Sequence, residues 1–84
     1  MRKTTVIEKV SNAVLTESYI VNDAYDRKHI AKNNCHYGKI TGLLYILKLY
    51  GIDAKLKTSS YDIKYDTIYQ IMEIRINGNI VFSM

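Results

Sequence analysis

The stretch GKITGLLYILKLY, residues 38–50, decides the fold. Ile40, Leu43, Leu44 and Leu47 follow the i, i+3, i+4, i+7 spacing that places apolar side chains on one face of an α-helix. Further apolar residues widen this face, which indicates a helix that is buried on more than one side. These residues are Tyr37, Tyr45, Ile46, Leu49 and Tyr50. Gly51 stands where many helices end in a left-handed residue. The sequence predicts that this central helix supports the core.

Two shorter helices are predicted before the central helix. The first runs from about 6 to 20, where valines recur at helical spacing. Its β-branched ends leave a strand open as an alternative there. The second runs from about 23 to 33, with Asn22 as a candidate N-cap. Asn33 and Asn34 then favour a turn, because paired asparagines are common in turns and caps.

Three strands are predicted after the central helix. Residues 53–60 alternate between polar and apolar types, and 67–76 and 79–84 are rich in β-branched residues. Asn77–Gly78 between the last two predicts a two-residue type I′ turn. The sequence therefore predicts a single α+β domain over 1–84. Two or three N-terminal helices should pack on a C-terminal three-stranded antiparallel sheet.

Composition indicates a small globular protein. Of its 84 residues, 48% are hydrophobic and 24% are charged, which is not the composition of a disordered chain. A chain this short has little room for a core and a supported catalytic site, so we predict no enzyme and no cofactor. The single cysteine excludes an intrachain disulfide and suits a reducing compartment. The longest apolar run is far shorter than the ~20 residues of a membrane span. We expect a cytoplasmic protein, or one that acts in the cytoplasm of a host cell.

A basic stretch precedes and enters the central helix. The formal net charge is +4, and between residues 27 and 39 no acidic residue occurs. The candidate electrostatic binding residues are Arg27, Lys28, Lys32 and Lys39, with Tyr37 beside them. Such a stretch could contact a phosphate backbone or an acidic protein. A solvated helix face is the alternative interpretation.

Tyrosine is abundant, at eight residues. Tyr61, Tyr65 and Tyr69 recur at every fourth position, and in one strand that spacing would put them on one face. Tyrosine is enriched at protein interfaces, so these three are candidate apolar contacts. The alternative is that tyrosine replaces phenylalanine in an AT-rich coding context.

Cys35 is the only candidate nucleophile. If it precedes the central helix, the helix dipole and nearby basic residues should favour its thiolate. With His29 and His36 it forms no standard metal-binding spacing, so no metal site is predicted. A partly buried cysteine without a role is the alternative.

Two segments resemble the core of transglutaminase-like, papain-type cysteine enzymes: NNCHYGKITGLLYILKLYGIDAKLKT, from residue 33, and YQIMEIRINGNIVFSM, from residue 69. In that family a cysteine opens a leucine-rich helix, and a histidine and an aspartate follow on later strands. Cys35 matches the cysteine. Tyr69 holds the place of the histidine, and Ser83 or Met84 that of the aspartate. The resemblance implies a non-catalytic copy of this scaffold.

The leading functional hypothesis is a non-enzymatic binding protein that inhibits or regulates a larger protein or nucleoprotein partner. Its small size and AT-rich coding are similar in character to phage and mobile-element proteins that block host defences, including anti-CRISPR proteins. A nucleic-acid-binding regulator is the first alternative. A cysteine-dependent transglutaminase-like enzyme, or its inactive relative, is the second. A homodimer is left open, and no membrane partner is expected.

Overall fold

Two long helices precede a three-stranded antiparallel sheet in the computed structural model, which describes residues 2–84. The elements are α1 (Lys3–Asp26), α2 (Ile30–Leu49), β1 (Ala54–Ile63), β2 (Asp66–Ile76) and β3 (Asn79–Ser83). The strands are ordered β1-β2-β3, so β2 is central. The predicted α+β class is confirmed, with helices first and the sheet last.

The helices are divided differently from the prediction. Within residues 2–84 there are two helices, and residues 38–50 form the second half of α2 rather than a separate central helix. Asn33 and Asn34 lie inside α2, so the turn predicted there is wrong. The chain instead breaks at residues 27–29, inside the range that was predicted as a second helix.

The core lies between the helices and the sheet. Its fully or nearly buried side chains are Val6, Val10, Val14 and Val21 of α1, Ile40, Leu44 and Leu47 of α2, Ile52 after α2, and Ile71, Ile74, Ile76 and Phe82 of the sheet. The turn at Asn77–Gly78 has φ of 54° and 81°, and positive values at both positions are what a type I′ turn requires. The predicted hairpin is therefore confirmed.

The end of α2 is closed by a Schellman turn. The Ile52 N–H donates to the Leu47 carbonyl at 3.0 Å, and Gly51 between them has φ of 73°. Ile52 and Leu47 are both buried in the core. The turn thus carries the chain from the helix into the sheet layer, and the prediction of a helix end at Gly51 is confirmed.

The end of α1 has the same turn with a less suitable residue. The His29 N–H donates to the Ala24 carbonyl at 2.9 Å, and Lys28 holds the left-handed position with φ of 58°. A side chain at positive φ is strained because its Cβ crowds the backbone. The geometry of this turn, rather than its residue types, ends the helix.

Lys28→Gly is expected to stabilise the protein by about 0.5–1 kcal/mol, because glycine relieves the left-handed strain. Gly51→Ala, at the matching position after α2, should destabilise it by about 1 kcal/mol. Urea denaturation followed by circular dichroism would measure both changes. A loss of stability in Lys28→Gly would show that the lysine side chain contributes more than its strain costs.

Asparagine side chains cover the part of the β2 edge that β3 does not reach. β3 pairs only with residues 73–76 of β2. Next along that edge, Asn22 Oδ1 accepts from the Ile71 N–H at 2.7 Å, and its Nδ2 donates to the Ile71 carbonyl at 3.0 Å. Asn33 binds Tyr69 in the same way, at 2.9 and 2.7 Å. Each amide thus replaces one residue of a missing strand.

The third member of this set is Asn34, whose Nδ2 donates to the Thr67 carbonyl at 2.8 Å. Asn33 is fully buried and also donates to the Val21 carbonyl at 3.0 Å, so it joins α1, α2 and β2. We call Asn22, Asn33 and Asn34 the asparagine edge. It fixes the position of α2 relative to the sheet, and with it the side of α2 that faces solvent.

Candidate functional site

The predicted site residues lie in three separate places. Tyr25, near the end of α1, packs edge-on against Tyr61 of β1 with ring centroids 5.5 Å apart. This contact brings the α1–α2 turn and the distal end of the β1–β2 hairpin to one end of the molecule. The predicted residues that gather there are Arg27, Lys28, Tyr61 and Tyr65. Arg27 is paired with Asp23 at 3.1 Å, which offsets part of the positive charge at this end.

The three regularly spaced tyrosines do not share a strand face, so that prediction is wrong. Tyr61 lies in β1, Tyr65 in the turn, and Tyr69 in β2, because the hairpin reverses between them. Tyr65 is fully exposed at the hairpin tip. A spacing of four residues indicates one face only when the strand is continuous.

Tyr37 and Tyr69 form an internal stack. Their ring centroids are 3.8 Å apart and their planes differ by 2°. Burial, with a smaller contribution from Tyr69, raises the pKa of Tyr37 above its ordinary value. Each ring covers one face of the other, so these two predicted binding residues mainly join α2 to β2.

Alkaline titration should reveal this stack. A raised pKa in the folded state means that the fold favours neutral Tyr37. The resulting stability is present below the ordinary tyrosine pKa of about 10 and is lost as the pH rises through the folded value. Tyr37→Phe should therefore remove a late component from the tyrosinate absorbance curve. Tyr65→Phe, at the exposed tip, should leave that component in place, and its loss there would contradict the assignment.

Cys35 is the sixth residue of α2 and is exposed, so its predicted place before a helix is wrong. The dipole effect of a helix falls off within its first turn, and Cys35 lies beyond that turn. Asn33 and Tyr37, two residues to either side, both contact Tyr69. Residues two apart in a helix point in nearly opposite directions. The structure therefore does not bring Cys35 to Tyr69, which holds the histidine's place in the resemblance.

The two histidines have different surroundings. His36 Nδ1 hydrogen-bonds to a carboxylate oxygen of Glu17 across the α1–α2 interface. His29 is exposed just before α2 begins. In the described part of the chain, no three histidine, cysteine, aspartate or glutamate side chains form a group that could hold a metal ion.

The remaining site residues, Lys32 and Lys39, belong to an exposed row along α2. The row alternates three- and four-residue spacings, which keeps its members on one helix face. Its members are Lys32, Cys35, Lys39, Gly42, Ile46 and Leu49, and all six are exposed. We call this row the outer seam. Its first half is basic and its second half is apolar.

The apolar half of the outer seam is open to solvent. Leu49 is 68% exposed and Ile46 is 41% exposed, and Tyr50 next to them is also 41% exposed. The prediction that the apolar residues around this helix are buried on more than one side is wrong for this face. Contiguous exposed apolar surface of this kind is typical of interaction sites.

A groove runs beside the outer seam, between α1 and α2. Its volume is about 650 Å³, and it is lined by Ala13, Thr16, Glu17, Lys39, Gly42, Leu43 and Ile46. Of these, Leu43 packs against the core. A Cβ added to Gly42 would meet no atom within 4 Å among the described residues. A Cβ added to Gly38, one turn earlier in α2, would likewise meet none of the described residues.

Sequence reasoning missed this groove although one signal was present. Ile46 and Leu49 are three residues apart and lie on a different face of the helix from Ile40, Leu44 and Leu47. Both faces were attributed to burial because spacing alone does not tell a core-facing row from a solvent-facing one.

Neither helix of the described residues is long and apolar enough to cross a membrane. No protein-family model, curated protein or solved structure matches the chain.

Proposed function

We propose that the chain is a small non-enzymatic binding protein that inhibits or regulates a larger partner through the outer seam and its groove. The observation that carries this proposal is the exposure of the large apolar side chains of Ile46 and Leu49 on the outer seam, with exposed Tyr50 beside them. Removal of apolar surface from water is favourable, so these exposed side chains would be stabilised by a partner that covers them.

Gly42 provides a second argument for the same proposal. Glycine in a helix interior costs about 1 kcal/mol relative to alanine. That cost is offset where a neighbouring backbone must come close, yet the described residues place no atom within 4 Å of the missing Cβ. The room beside Gly42 therefore suits a molecule from outside the chain.

The class of partner follows from the general character of the chain. Its size, its net charge of +4 and its AT-rich residue usage suit a phage or mobile-element protein that blocks a host defence, in the manner of anti-CRISPR proteins. The partner would then be a host protein or nucleoprotein complex. Such an inhibitor acts by covering a surface and needs no catalytic residues.

An affinity capture with paired variants tests this function. Ile46→Glu places a charge in the apolar half of the seam, whereas Thr41→Glu adds the same charge at an exposed position of α2 outside the groove lining. Wild type and Thr41→Glu are expected to retain one partner from host extract and to reduce its activity. Ile46→Glu should lose both. Equal retention by all three proteins would refute a function through the seam.

A nucleic-acid-binding regulator remains the second candidate, because one end of the molecule combines exposed Lys28 with the fully exposed ring of Tyr65. Lysine and stacking aromatic side chains are the usual contacts to single strands. A gel-shift titration over salt concentration would separate the two functions. Steeply salt-dependent binding that Tyr65→Ala weakens would favour the regulator. No binding at low salt would remove it.

A further inference from the structure

We infer that the occupant of the groove is an acidic amphipathic α-helix of the partner protein, lying along the outer seam. This inference rests on the proposed function and names the partner's chemistry. Three properties of the seam lead to it: its spacing, the room beside Gly42, and the distribution of charge along α2.

The spacing of the outer seam fits another helix. Alternating three- and four-residue steps are the pattern by which packed helices present side chains to one another. From Lys32 to Leu49 the seam is about 26 Å long at 1.5 Å per residue, which matches a partner helix of about five turns. An extended peptide would instead need a row of free backbone groups, which a helix does not offer.

The groove allows the partner helix to pack close to α1 and α2. Packed helices have axes 8–10 Å apart, and small residues at the contact permit the shorter distances. Ala13 on α1 and Gly42 on α2 stand on opposite walls of the groove, which holds about 650 Å³. Apolar side chains of the partner can therefore enter between α1 and α2, with Ile46 and Leu43 at their side.

The charges along α2 indicate which residues the polar side of the partner helix carries. α2 contains no acidic residue, and Lys32 and Lys39 occupy the basic half of the outer seam. The groove lining contains one carboxylate, Glu17, and that carboxylate is hydrogen-bonded to His36. Acidic residues on the partner could therefore pair with Lys32 and Lys39 without competition from an acidic residue of α2.

The same charges argue against two other occupants. A second copy aligned in parallel would set Lys32 and Lys39 against the same lysines, and an antiparallel copy would leave them without acidic partners on α2. An anionic membrane surface would also attract the lysines. However, a lipid surface contacts the outermost side chains of a helix and does not fill a recess that contains a carboxylate such as Glu17.

A display library of helical peptides tests the inference. The peptides would be about 20 residues long, with leucine, isoleucine or alanine on one face and glutamate, lysine or glutamine in equal shares on the flanks. Selection on the wild-type chain is followed by removal of peptides that also bind Gly42→Leu, in which a side chain fills the groove. The remaining peptides are expected to contain several-fold more glutamate than lysine.

Two matched pairs of variants then locate the bound peptide by fluorescence polarisation. Gly42→Leu should weaken binding at least tenfold, whereas Gly38→Leu, outside the groove lining, should change it less than twofold. Lys39→Glu should weaken binding about tenfold, and Lys48→Glu, which makes the same charge change on the far side of α2, should have little effect. Thermal unfolding is expected to show Gly42→Leu at least as stable as wild type, since leucine is the better helix former.

Several outcomes would overturn the inference. They are enrichment of lysine-rich or uncharged peptides, no peptide that distinguishes wild type from Gly42→Leu, a seam-dependent dimer in light scattering, or binding to phosphatidylserine vesicles that Gly42→Leu does not weaken. If the partner is still captured in an Ile46-dependent way, the proposed function stands and only the acidic helix is wrong. If glutamate-rich peptides bind but no partner depends on Ile46, the function fails instead.

Discussion

Asn33→Ala is expected to lower the free energy of unfolding by about 3 kcal/mol, because the alanine leaves the partly buried N–H and carbonyl of Tyr69 without partners. In the native chain the Asn33 amide binds both the N–H and the carbonyl of Tyr69 and donates to the carbonyl of Val21. Each buried polar group that loses its only partner costs about 1–3 kcal/mol. The substitution also opens a small cavity between the helices and β2.

Urea denaturation followed by circular dichroism would measure this loss. Asn12→Ala, at an exposed position of α1, is the matched control and should change stability by no more than about 0.5 kcal/mol. If Asn33→Ala unfolded at the same urea concentration as Asn12→Ala, water or a local shift would be satisfying Tyr69, and the asparagine edge would be a minor feature.

Leu47→Ala is expected to cost about 3 kcal/mol, a typical loss for a leucine removed from a packed core. Leu47 is fully buried, and its neighbours in the core cluster include Ile40, Ile52 and Ile76. Its carbonyl also accepts the Schellman hydrogen bond of Ile52, so its position is fixed by the backbone as well. The backbone at Leu47 therefore has little freedom to move in and close the cavity.

Leu49→Ala provides the control within the same helix. Leu49 is 68% exposed, so its truncation should change stability by no more than about 0.5 kcal/mol. The same variant should weaken binding of the selected peptides, since Leu49 belongs to the outer seam. A large loss of stability in Leu49→Ala would show that this side of α2 is needed for folding, and would argue against its assignment to a partner.

The features that local chemistry determines could be predicted from the sequence. The Ile40, Leu44 and Leu47 row identified the buried face of α2 because its period is that of the helix. Gly51 and the Asn77–Gly78 turn were correct because positive φ strongly limits which residues are tolerated. These signals depend on a few neighbouring residues and needed no knowledge of the rest of the chain.

The helix boundary could not be predicted for the opposite reason. Asn33 and Asn34 have weak helix propensity, amounting to a few tenths of a kcal/mol, whereas their hydrogen bonds to Tyr69 and Thr67 contribute more. Those bonds join residues more than thirty positions apart. The actual break at Lys28 carries no sequence signal, because lysine is an unusual residue for the left-handed position.

The candidate site was predicted in part. Lys32 and Lys39 were predicted to bind a partner, which stays a prediction, and the structure places both on one exposed face of α2. The basic stretch was treated as one unit because its residues are close in sequence. The break at residues 27–29 instead leaves Arg27 and Lys28 at the end of the molecule, whereas Lys39 lies farther along α2, beside the groove. Ile46 and Leu49 were assigned to the core because apolar type alone does not show which side a helix buries.

The asparagine edge also contains two amide protons whose exchange rates report on the motion of the helices relative to the sheet. The amide protons of Tyr69 and Ile71 are held by side chains of the helices and not by a neighbouring strand. Their exchange with deuterium therefore requires the helical hairpin to lift from the sheet, while the protons between β1 and β2 require the strands themselves to separate. Comparing the two exchange rates would therefore distinguish the lifting of the helices from the sheet from the separation of the strands themselves.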